Sequence, residues 1–148
     1  MKALFILISW CLVQTVPLQA QDTEKLWKDA GIAETNMQDD QAFRLYQQVL
    51  QNQPNHLGAI CKCSELASKI GHRQSTKESQ ISYYETARRY AEIGLKLNPA
   101  SADANFAMSL AMGRMAMVSS GRQLVESVKM IKYYADKTVQ LNPVDFRG

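Results

Sequence analysis

Helix breakers are scarce in this sequence: glycine occurs 7 times and proline 4 times in 148 residues. That scarcity excludes a β protein with many tight turns and leaves room for long helices. An excess of charge of one sign is also missing. The 17 basic and 14 acidic residues leave a formal net charge of +3, too little to mark a nucleic-acid binder. Charged residues at 21% and apolar residues at 46% exclude wholesale disorder. Signatures of catalysis are absent. No glycine-rich phosphate loop and no H-E-x-x-H motif occurs. The two histidines, His56 and His72, fall at an expected helix start and turn, with no carboxylate or nucleophile arranged beside them. The expectation is a protein that is not an enzyme and holds no cofactor and no nucleic acid.

One long apolar run is present, at residues 4–13, preceded by Lys2 and followed by a more polar stretch that ends in Ala20. It is too short to cross a bilayer and has the length of an export signal. Residues 1–20 are therefore expected to be a signal peptide, cut after Ala20. The protein is expected to be periplasmic or secreted, with no stable membrane insertion once the signal is gone. Of the three cysteines, Cys61 and Cys63 remain after the cut. They are two residues apart in an expected helix, where side chains point about 200° apart, so a bridge between them would break the helix. Buried free thiols are expected.

An internal repeat is the main signal. Pro54, Pro99 and Pro143 recur every 44–45 residues, each preceded by Asn or Gln. In that register Ala42, Ala87 and Ile131 lie twelve residues ahead of the proline. Tyr46, Ala91 and Ala135 lie eight ahead, and Leu50, Leu95 and Val139 four ahead. Offsets of four make one helical stripe. Each helix should stop about two residues before its proline, because proline disfavours αR at the preceding residue and donates no hydrogen bond.

A second helix is expected ahead of each of these. Residues 23–37 carry Leu26, Ala30 and Ala33 on one face, with Asp22 or Thr23 as N-cap, and residues 38–40 form the next turn. Residues 56–70 form a helix ended by Gly71, followed by a polar segment to Ser79. Residues 101–118 are rich in Ala, Met and Leu and end at Ser119-Ser120-Gly121. Six helices in three hairpins result, spanning about 23–55, 56–99 and 100–143 within a repeat domain of residues 21–143. Residues 144–148 form a short tail. No capping helix is expected after Pro143, so either the last helix pair exposes an apolar edge open to a partner or to self-association, or the chain is a shortened member of a longer family.

The spacing of Ala42, Tyr46 and Pro54 resembles the A-x3-[FY]-x7-P pattern of the tetratricopeptide repeat family. Ala30 takes the place of the small residue of the first helix. The units exceed the family period of about 34 residues, and the extra length is expected in longer helices and in the turns near residues 71–79 and 119–123. Extended units of this kind are similar to the regulator-of-microtubule-dynamics type and to exported bacterial proteins like it. The resemblance implies an all-α, right-handed α-α superhelix of about three hairpins. It also implies a protein-binding scaffold whose concave groove is lined by the first helix of each pair. By position that points to Trp27, Asn105, Met108 and Met112. Each has a plainer reading. Trp27 can cover the end of the core, and Met108, Met112 and Met115 can be core filler at i, i+4, i+7. The alternative function is a metal-handling or enzyme-accessory protein using the Met-rich helix or Cys61 and Cys63.

Overall fold

The computed structural model describes residues 18–143. It holds six helices: α1 (Leu18–Thr35), α2 (Asp39–Asn52), α3 (Leu57–His72), α4 (Lys77–Leu97), α5 (Ala102–Val118) and α6 (Gly121–Leu141). The protein is all-α, and no strand occurs among the described residues. The expected export signal lies outside the described residues except for residues 18–20, which form the first turn of α1.

The proline rule accounts for the ends of α2, α4 and α6. Each stops two residues before Pro54, Pro99 or Pro143. The residues before the prolines, Gln53, Asn98 and Asn142, all leave the helical region, with φ from −147° to −135° and ψ from 79° to 94°. Each still donates its N–H to the carbonyl four residues back, on Val49, Gly94 and Thr138. The starts of α3, α4 and α5 are closed by side chains. His56 Nδ1 accepts from the Ala59 N–H at 3.1 Å, Thr76 Oγ1 from Ser79 at 3.2 Å and Ser101 Oγ from Ala104 at 3.2 Å.

Several local expectations are corrected. Asp22 and Thr23 do not cap α1, which begins at Leu18 because Leu-Gln-Ala-Gln ahead of them are all good helix formers. Asp39 and Asp40 lie in the first turn of α2 rather than in the turn before it, where their charges suit the helix dipole. Gly71 does not end α3, which continues to His72. Gly71 is there because α4 comes close: a Cβ would lie 2.8 Å from Tyr83 Cβ and 2.8 Å from Tyr84 Cε1. The polar segment expected to reach Ser79 shrinks to residues 73–76, and the α5–α6 link to residues 119–120. The extra length of the second and third units therefore lies in the helices, with α4 and α6 each 21 residues long.

The core is built from small residues. Ala30, Ala33, Ala42, Tyr46, Val49, Ala59, Cys63 and Leu66 form a cluster among α1, α2 and α3. Cys61, Ala91, Ala104, Ala107 and Met108 form a second among α3, α4 and α5, and Ala67, Ala87 and Ala111 a third between the same helices. Alanine lets the helix axes approach, and Gly94 extends this, since a Cβ there would lie 3.3 Å from Ala104 Cβ. The Ser64 hydroxyl donates to the Ala87 carbonyl at 2.7 Å and ties α3 to α4 inside this core. The repeat positions twelve and eight before the proline are buried in the first two units. The third buried position is five before, at Val49, Gly94 and Thr138, rather than four.

Successive helices pack as three antiparallel hairpins, α1–α2, α3–α4 and α5–α6. Between hairpins, α3 packs on α2, and α5 packs on both α3 and α4. Among the described residues α6 packs substantially only on α5, so a gap is left between α4 and α6 with α5 at its floor.

Candidate interaction groove

That gap is a groove of about 700 Å³. Its floor comes from Met108, Met112 and Met115 of α5, spaced i, i+4, i+7 on one face. One wall is α4, with Arg88, Glu92, Leu95 and Lys96; the other is α6, with Gln123, Glu126, Ser127, Met130 and Tyr134. Four methionines thus face one space. Unbranched thioether side chains repack readily, which suits a surface that adapts to an apolar ligand. The rim is charged. Arg88 and Glu92 form an i, i+4 ion pair, whereas Lys96 and Glu126 have no ion pair among the described residues. The Tyr134 hydroxyl is pushed above its ordinary pKa, first by burial and then by Tyr133 and Glu92, so it stays a neutral donor.

The residues singled out by resemblance divide between three places. Met108 and Met112 line the groove, Met108 being nearly buried at its base. Trp27 lies at the other end of the protein, 5.1 Å from the Tyr46 ring and 4.7 Å from the His56 ring, packed against the first core cluster. Asn105 is fully buried, and its amide donates to the Pro99 carbonyl at 3.1 Å and the Ser101 carbonyl at 2.7 Å, holding the α4–α5 turn. The groove also includes Met130, Tyr134, Leu95 and Lys96, which the sequence reading did not single out. Their i, i+4 spacing on α6 and adjacency on α4 are visible, but nothing local shows that those two helices leave a gap.

On α3, the outward face carries charge that the protein pairs with itself. Lys62 reaches Glu34 at 3.0 Å and Glu65 at 3.7 Å. Lys69 lies 4.0 Å from both Glu34 and Asp39, and Arg73 pairs with Asp39 and Asp40. The Tyr46 hydroxyl donates to Glu34 at 3.2 Å. Burial works against the charge of Lys62, but the hydrogen bond to Glu34 and the charges of Glu65 and Glu34 outweigh it and raise its pKa. Glu65 is also raised, chiefly by burial. Half-exposed pairs of this kind are each worth about 0–1 kcal/mol. The network links the first hairpin to α3 and leaves few free charges on that face.

Cys61 and Cys63 are free and buried, and they point into different core clusters. Burial pushes both thiols up to about 12, so neither is a thiolate at neutral pH. Among the described residues no three His, Cys, Asp or Glu side chains form a metal-binding group, and no helix is long and apolar enough to cross a membrane.

Three hairpins in one repeating register, with an open groove beside the last, define a repeat-like, all-α helical protein. The sequence profile of the family described as Regulator of microtubule dynamics protein 1-3 matches residues 26–147, and the chain belongs to that family. Among curated proteins none matches the chain.

Proposed function

We propose that the protein is a tetratricopeptide-like scaffold, exported and without catalytic activity, that holds the apolar face of a partner helix in the α4–α6 groove. The observation that carries this reading is the floor of three methionines from α5 with Met130 and Tyr134 beside them. From Arg88 to Lys96 the α4 wall runs about 12 Å, at 1.5 Å per residue. That length takes about two turns of an amphipathic helix presenting apolar residues at i, i+3 or i+4, and i+7. The unpaired rim charges set a preference: an acidic group fits beside Lys96 and a basic group beside Glu126. The family membership and the in-phase prolines support the scaffold reading. The roles of His56 as a helix cap and of Cys61 and Cys63 as core residues support the non-enzymatic one.

Selection of a displayed library of 12-residue peptides tests the reading. The enriched peptides are expected to share the helical apolar spacing and an acidic residue at one end. Met112→Glu, which puts a charge on the groove floor, should weaken their binding at least tenfold while the helical circular-dichroism spectrum is kept. No enrichment, or equal binding to Met112→Glu, refutes it.

A further inference from the structure

The flank of α6 that faces away from the groove is also uncovered, and its surface is apolar. Leu124, Val128 and Val139 stand on it, with Val128 54% and Val139 44% exposed. On α5, Phe106 and Met117 are 43% and 62% exposed on the same outer side of the hairpin. The repeat shows what such a face is for. Val128 corresponds to Tyr84 of α4, which is buried. Ala135 corresponds to Tyr46 and Ala91, both buried. Val139 corresponds to Leu50 and Leu95, which pack against clusters completed by α3 and α5 of the following hairpin. In the first two units, then, these positions are buried or partly buried against a following helix, with Leu95 also lining the groove. In the third, no described helix covers them.

We propose that this outer face of α5–α6 pairs with the same face of a second copy of the chain, forming a twofold dimer. The residue spacing on α6 is self-complementary. Leu124, Val128, Ala135 and Val139 lie symmetrically about the midpoint between Ile131 and Lys132. When two copies of α6 cross antiparallel at that midpoint, Leu124 of one meets Val139 of the other, and Val128 meets Ala135. A twofold interface requires this reciprocity. Lys132 lies beside the crossing point, about 50° off the apolar stripe, where its 2.7 Å ion pair with Asp136 offsets its charge. The exposed apolar side chains offer on the order of 500 Å². With their polar rim this approaches the roughly 800 Å² per partner of a stable interface. A head-to-tail chain is disfavoured because the end that would have to cover α6, the outer side of α1, exposes Glu24, Lys25 and Lys28. The dimer is independent of the groove reading, since the groove lies on the opposite flank of α6. It would place two grooves in one particle, so a partner carrying two matching segments would gain avidity.

Sedimentation of the chain as purified from cells, from 1 to 100 µM, should give a dimer. Val128→Glu should return it to monomer with its helix content intact, because Val128 is exposed in the single chain. Ile32→Glu, at an exposed position on α1, should leave the dimer unchanged. Val128→Cys with Ala135→Cys, in a Cys11→Ser background, should yield a covalent dimer on mild oxidation. The two sites are seven residues apart on one helix, about 10 Å, beyond the reach of a bridge within a chain. The pair Val128→Cys with Val139→Cys, off the symmetric register, should cross-link at least tenfold more slowly. A monomer throughout the range overturns the proposal. So does a dimer indifferent to Val128→Glu, equal cross-linking by both cysteine pairs, or a ladder of higher oligomers.

Discussion

Replacing Gly71 with alanine separates two roles for that residue. If Gly71 served only as a helix terminator, alanine would extend the helix and add about 0.8–1.0 kcal/mol of propensity. In the structure the new methyl group would instead lie 2.8 Å from Tyr83 Cβ and from Tyr84 Cε1. Tyr83 Cβ is fixed to the α4 backbone, and Tyr84 is almost completely buried, so neither can withdraw without moving α4. Overpacking of this kind costs roughly 1–3 kcal/mol. The net expectation for Gly71→Ala is a loss of up to about 2 kcal/mol. Gly31→Ala in α1 is the control, since a Cβ there meets nothing within 4 Å. It should gain about 0.5–1 kcal/mol. The two variants should thus differ by about 2 kcal/mol, or roughly 8 °C in Tm for a domain of this size. Urea unfolding followed at 222 nm would show the midpoints moving in opposite directions with similar slopes. A Gly71→Ala variant as stable as Gly31→Ala would refute the close approach of α3 and α4.

Two other outcomes are expected. If residues 1–20 are an export signal, the protein recovered from its native host should begin at Gln21; an intact Met1 in the mature protein would rule this out. Stability should also fall under alkali. The Cys61 and Cys63 thiols are held near 12 by burial, with Asp103 and Glu65 adding to the effect at Cys61. In the unfolded chain they titrate near 8.5. Protons are therefore held by the folded state and lost by the unfolded one, so stability is complete below about pH 8.5 and declines as pH climbs toward 12. The slope is about 1.4 kcal/mol per pH unit for each thiol. Cys63→Ala should flatten it, and a urea midpoint unchanged between pH 8 and 10.5 would contradict the burial of these groups.

What could be read ahead of the structure was what local physics decides. Pro54, Pro99 and Pro143 act on their own neighbours, so the ends of α2, α4 and α6 were legible to within about a residue. Ala42, Ala87 and Ala91 at the repeat positions were legible as core because small residues in phase have few other uses. Gly71 was not legible, because a glycine that ends a helix and one that admits a neighbouring helix look the same until α4 is in place. Asn105 was misleading for a similar reason. Its position in the repeat, carried over from the resemblance, suggested a groove contact, whereas its amide serves the carbonyls of Pro99 and Ser101. The groove depends on α4 and α6 standing apart, a property of packing that no periodicity records. Met108 and Met112 reached it by position, and Trp27 did not.

The two-residue step between Cys61 and Cys63 has a consequence for how the protein comes apart. One thiol belongs to the core of the first hairpin and the other to the core shared with α4 and α5. Helix α3 is therefore a common axle: turning it by one residue, about 100°, would pull a side chain out of both cores together. In a long array of repeats, the ends can melt while the middle stays folded. Here the middle is a single helix with no layer to spare. Loosening the first hairpin from α3 would uncover the Cys63 cluster, and loosening α4 or α5 from α3 would uncover the Cys61 cluster.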